Sequence, residues 1–345
     1  LLRSLRARGV RDIRGDLMLD RSLFAPARND PFDEHPLRAY NVGPDALLLG
    51  FNALRFTFVP DTARAAVTLL HEPQPVQLDV VNLLKLGGGP CNEWRDHVRL
   101  DISKHGPNTR LVLTGSYPAA CGEKTWNLGV MSHGEFVSGV FRQLWRELGG
   151  TIEGSWREAA VPAGARPIAT IESAPLAEMV RDINKWSNNV MARQLYLTLG
   201  AATGARPARE ADGEAAIRAW LARKDIAMPE LVIENGSGLS RQARLSAEST
   251  ARLMQAAWNS AVMPEFVASL PVVAVDGTMR KRLNGNGTAG QAHVKTGSLD
   301  GVKTIAGYVL DRSGRRWIVV FFVNHANAAA ARPAQDALIE WVHAR

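Results

Sequence analysis

At 345 residues, 46% hydrophobic and 22% charged, the chain is long enough for two or more packed cores and too apolar for a disordered one. The formal net charge of +7 invites nucleic acid, yet no basic run, recognition motif or aromatic-basic interleaving accompanies it. No nucleic-acid partner is therefore expected, and an anionic cell-wall or membrane surface suits the charge as well. No apolar run approaches the ~20 residues of a spanning helix, so no transmembrane segment is expected.

The chain opens on Leu1 inside what reads as a helix, with Arg3, Arg6, Arg8, Arg11 and Arg14 spaced for a solvated helix face followed by a strand. With no start methionine, truncation at the N-terminus is expected, and the missing signal peptide says nothing of export. Alternating runs predict strands at 55–59, 66–70 and 110–114, broken by Pro, Gly and Asn turn signals. One amphipathic helix is predicted over 134–148, and the stretch 160–167 has linker composition. Beyond it the pattern changes. Pro175 after Ser173 starts a helix whose Leu176, Met179, Val180 and Ile183 share one face, and Ser187 opens the next. Further helices are predicted over 214–224 and 247–258. Strands follow at 293–296, 304–310 and 317–323, the last two joined by a turn at 311–315. A final helix, 333–342, packs on that sheet through Leu338, Ile339 and Val342. The expected class is α+β and multidomain: residues 1–165 strand-rich with one helix, residues 166–345 with helices on an antiparallel sheet.

Several chemistries lack their signatures. The histidines show no His-x-x-x-His spacing and the two cysteines no Cys-x-x-Cys, so no metal is expected and no cofactor is implied. Gly87-Gly88-Gly89 lacks the Lys-Ser/Thr of a phosphate loop, and no Gly-x-Ser-x-Gly elbow occurs.

Two short motifs carry more. Lys295-Thr296-Gly297 reads as a strand edge, where an ammonium and a hydroxyl side by side can hold a carboxylate and a glycine lets a substrate backbone lie close. Ser187-Asn188-Asn189 lies between two helical patterns, where a hydroxyl can pass a proton and an amide can bind a carbonyl. Alone, the first could be a solvated turn and the second a helix N-cap. In this order they match the penicillin-binding set Ser-x-x-Lys, Ser-x-Asn, Lys-Thr-Gly, without the first member. No serine in the chain has a lysine three positions on.

The match extends through 186–192, 234–241, 275–283 and 294–302. From about Ser173 onward, and more weakly over 9–25, the chain resembles the low-molecular-mass class C penicillin-binding proteins, the D-alanyl-D-alanine carboxypeptidase/endopeptidase family of peptidase S13. The resemblance implies the penicillin-recognising, β-lactamase/transpeptidase-like fold, with residues 1–165 as the family's insertion. It implies a serine-type enzyme acting on peptidoglycan stem peptides through an acyl-enzyme, sensitive to β-lactams and periplasmic. By position, Ser187 looks like the proton relay, Asn189 the substrate-binding amide, Lys295 with Thr296 the carboxylate anchor, Gly297 a further substrate-binding position, and Ser298 an oxyanion-hole donor. The nucleophile and its lysine lie outside this chain, and the fragment alone is expected to be inactive. In an exported protein Cys91 and Cys121 are compatible with a disulfide, and two buried thiols fit as well. Asp276, in an Asp-Gly turn, reads as structural; Ser237 shapes a loop; His293 and His325 read as satisfied structural histidines. A non-catalytic peptidoglycan-binding relative is the alternative, and a basic surface-binding protein with these motifs as caps and turns a further one.

Overall fold

Alternation predicts the strand at 55–59 because Leu54, Phe56 and Phe58 fall on one face, with Arg55 and Thr57 on the other. The computed structural model, which describes residues 1–26, 32–285 and 287–345, divides into two compact units, Leu1–Ile171 and Glu172–Arg345.

The first unit begins with helix α1 (Leu2–Ala7) and strands β1 (Asp12–Ile13) and β2 (Leu17–Leu19). Strands β3 (Leu54–Asp61), β4 (Ala66–Glu72), β5 (Leu78–Asn82), β6 (Lys85–Gly87), β7 (Val98–His105), β8 (Asn108–Pro118) and β9 (Lys124–Leu128) follow, then helix α2 (His133–Glu147) and strands β10 (Thr151–Ile152) and β11 (Trp156–Glu158). β3 runs antiparallel to β4 and β9, and β8 runs antiparallel to β7 but parallel to β5 and β6. β10 and β11 return to pair in parallel with β1 and β2.

The alternating side chains of β3 and β8 meet those of α2 in one core: Phe56, Phe58, Leu111, Leu113, Phe136 and Val140. α2 starts at a capping box in which Ser132 Oγ accepts from the Glu135 N–H and the Glu135 carboxylate accepts from the Ser132 N–H. Cys91 and Cys121 are bonded to each other and pack on the same core.

The second unit is helical before it is a sheet. Helices α3 (Leu176–Trp186), α4 (Asn189–Ala202), α5 (Glu210–Arg223), α6 (Ala247–Trp258) and α7 (Met263–Ser269) precede strands β12 (Ala292–Leu299), β13 (Val302–Leu310) and β14 (Arg316–Asn324) and helix α8 (Arg332–His343). The strands form an antiparallel sheet in chain order, buried on both faces. Val294, Ile305, Val309 and Val319 pack with Ile339 and Val342 of α8. On the opposite face, Ala306, Tyr308, Ile318 and Val320 pack with Met254 of α6 and Val267 of α7. This is the α+β arrangement expected from sequence. α5 starts before residue 214, because the Asp212 carboxylate accepts the Arg209 N–H at 2.7 Å and secures an earlier first turn.

Candidate active site

The site is built where α3 ends. Ser187 takes the left-handed conformation, φ 53° and ψ 47°, and the Asn188 N–H then donates back to the Ile183 carbonyl at 3.1 Å. This is the closure that glycine usually provides at a helix end. The Asn188 side chain meanwhile opens α4, its Oδ1 accepting from the Met191 N–H at 3.0 Å. Ser187 therefore does not open the helix, as the sequence pattern suggested; Asn188 is the cap. The reversal of the chain at Ser187 leaves its side chain exposed, with Asn189 half-buried on the first turn of α4.

β12 supplies the other wall. Residues 271–273 cover the start of its outer edge: the Val294 N–H donates to the Pro271 carbonyl and the Val273 N–H to the Ala292 carbonyl. The two-residue period of a strand then turns the N–H groups of Thr296 and Ser298 toward that same edge, beyond the end of the covering segment. Lys295 Nζ donates to Ser187 Oγ at 2.7 Å and to the Thr296 carbonyl at 2.8 Å, so the two motifs, 108 positions apart, are in direct contact. Burial pushes the Lys295 ammonium down to about 8, since desolvation disfavours the charged form. Thr296 Oγ1 lies 2.9 Å from Thr278 Oγ1, and Ser298 Oγ accepts from Lys303 Nζ. Gly297 stands opposite Thr304, and a Cβ at 297 would lie 2.3 Å from the Thr304 hydroxyl.

An ion pair that sequence reading missed ties the two walls together. Lys185, two residues before Ser187, buries its ammonium against the Leu270 carbonyl at 2.6 Å and both oxygens of Asp276 at 2.9 and 2.7 Å. Asp276 also accepts from the Val272 N–H at 2.8 Å. Next to it, Gly277 has φ 55°, and a Cβ there would lie 2.6 Å from the Lys185 carbonyl. The signal in the sequence was a lysine at the end of an amphipathic helix, which reads as solvated until its partner 91 positions away is known.

The remaining candidates sit apart from this contact. Ser237 donates to Asn235 Oδ1 at 2.8 Å and shapes its loop. His293 Nδ1 lies 3.1 Å from the Val267 carbonyl, and His325 Nδ1 accepts from the Asn327 N–H. Among the described residues no cluster of His, Cys, Asp and Glu could hold a metal ion.

The whole chain, residues 1–345, matches the D-Ala-D-Ala carboxypeptidase 3 (S13) family. The chain belongs to that family. A D-alanyl-D-alanine carboxypeptidase from Actinomadura sp. (strain R39) is 28% identical over 96% of this chain. The chain spans 63% of that relative's length. A crystal structure of penicillin binding protein 4 from Haemophilus influenzae superposes with a TM-score of 0.78 at 22% identity, covering 98% of this chain and 78% of that one. The same Haemophilus protein complexed with a β-lactam superposes at 0.69 and 22% identity, covering 94% of this chain and 71% of that one. The fold of this S13 chain is thus the penicillin-recognising one.

Proposed function

We propose that this chain carries the proton-relay and substrate-anchoring half of a serine-type D-alanyl-D-alanine carboxypeptidase/endopeptidase site. Its substrates are peptidoglycan stem peptides and its inhibitors β-lactams. The observation that supports this best is the 2.7 Å contact between Lys295 Nζ and Ser187 Oγ. With the ammonium donating to its oxygen, the Ser187 hydroxyl keeps its own proton free to give away.

In this reading a serine and lysine not among these residues supply the nucleophile and its base. The serine oxygen attacks the carbonyl carbon of the terminal peptide bond, and the Ser298 N–H, on the open edge of β12, helps hold the resulting oxyanion. Ser187 passes a proton to the leaving nitrogen as the C–N bond breaks, and water then hydrolyses the acyl-enzyme. Asn189 binds the substrate's amide carbonyl, while Lys295 and Thr296 hold its terminal carboxylate by charge-assisted hydrogen bonds. Residues 1–165 act as the family's insertion. A periplasmic location accords with the Cys91–Cys121 disulfide, a bond that persists in oxidising compartments.

The test is labelling of the full-length protein by a fluorescent penicillin. Covalent labelling that is lost in Lys295→Ala supports the reading. Binding of D-Ala-D-Ala peptides without any covalent label would replace it with a non-catalytic peptidoglycan-binding role. Labelling of residues 1–345 alone would sink the assignment of an external nucleophile.

A further inference from the structure

The segment that follows the Lys185–Asp276 pair ends on a threonine held more tightly than a surface turn requires. Asp276 is fixed by Lys185 and by the Val272 N–H, and Gly277 is in the left-handed region with no room for a side chain. The Ala274 N–H donates to the Met279 carbonyl, and the Met279 side chain is fully buried. Between these fixed points Thr278 is exposed, its hydroxyl 2.9 Å from that of Thr296 on the open edge of β12. The same ion pair that fixes the segment before Thr278 also holds the end of α3, two residues before Ser187, so one clamp supports the hydroxyl that meets Thr296 and the hydroxyl that meets Lys295.

We propose that Thr278 is a second hydroxyl of the carboxylate anchor, donating one hydrogen bond to the substrate's terminal carboxylate while Thr296 donates the other. Two hydroxyls at hydrogen-bond distance from each other can each turn a proton toward one oxygen of a carboxylate bridging them, and the nearby Lys295 supplies the charge. Without ligand the two hydroxyls satisfy one another, which keeps the site ordered and exchanges that bond for charge-assisted ones on binding.

The inference rests on the D-Ala-D-Ala reading, and its test separates the two. Acylation rates of the full-length protein are measured with benzylpenicillin and with its methyl ester, in wild type, Thr278→Val and Thr278→Ser. Loss of one hydrogen bond to a charged group slows Thr278→Val about tenfold with benzylpenicillin and leaves the ester rate unchanged, and Thr278→Ser restores the benzylpenicillin rate. Equal effects on acid and ester, or no effect on either, overturn the proposal, since a merely structural threonine cannot distinguish the two. If wild type takes neither label, the acylation reading has failed and calorimetry decides, with acetyl-D-alanyl-D-alanine and its C-terminal amide as probes. A preference for the acid that disappears in Thr278→Val upholds the proposal. Equal behaviour of wild type and variant, absence of binding included, overturns it.

Discussion

Replacing Gly297 by alanine tests why a glycine stands in the Lys-Thr-Gly motif. Read from sequence, the glycine admits a substrate backbone; read from the fold, it admits the neighbouring strand. A Cβ at 297 would meet Thr304 Oγ1 at 2.3 Å, and the next nearest atom, Thr304 Cβ, at 3.6 Å. The first distance is a clash and the second an ordinary contact, so the entire steric conflict resides in one hydroxyl oxygen. Overpacking of this kind costs about 1–3 kcal/mol, which for a domain of this size lowers the melting temperature by about 2–4 °C per kcal/mol. In a Thr304→Ala background the oxygen is gone and the alanine at 297 fits. Thermal denaturation of wild type, Gly297→Ala, Thr304→Ala and the double variant should therefore give a coupling of about 1–2 kcal/mol. A Gly297→Ala penalty equally large in the Thr304→Ala background would refute the steric account. A double variant as stable as Thr304→Ala that no longer reacts with penicillin would show that the substrate needs the glycine too.

Three further outcomes are expected. Burial lowers the folded-state pKa of Lys295 to about 8, from an ordinary lysine value of 10.5, so between these two the unfolded chain holds the proton that the native chain has lost. Stability relative to Lys295→Met should thus rise with pH between about 8 and 10.5, and a flat difference in urea titrations would contradict the burial. Replacing Cys91 and Cys121 by alanine opens a loop of 30 residues and should destabilise the first unit by about 3–4 kcal/mol, checked by urea unfolding followed through intrinsic tryptophan fluorescence. Asp276→Ala leaves the Lys185 ammonium buried with only a carbonyl partner and should cost about 2–4 kcal/mol. The double replacement Lys185→Met/Asp276→Leu should cost less in the same denaturation assay, and the opposite order would remove the argument for a buried pair.

What the sequence made legible was whatever a short window contains. The strands of the second unit show as runs such as residues 317–323 because both faces of that sheet are buried, and α2 shows through the amphipathic period of its fifteen residues. The parallel pairing of β5 and β6 with β8 does not show, since strands of five and three residues leave no period to read. α7, seven residues long, is hidden for the same reason. In the site, the serine and lysine motifs are visible as strings, but the choice of Asn188 over Ser187 as the cap depends on a backbone angle. The partnership of Lys185 with Asp276, and of Thr278 with Thr296, depends on contacts between segments that the string keeps apart.

The left-handed backbone at Ser187 narrows what evolution can place there. Asparagine and glycine tolerate φ 53° but bring no hydroxyl to Lys295 Nζ, whereas threonine brings the hydroxyl on a branched Cβ that this conformation penalises. Serine alone among the aliphatic hydroxyl residues meets both demands, so position 187 is confined to a single residue by the turn and the chemistry acting together.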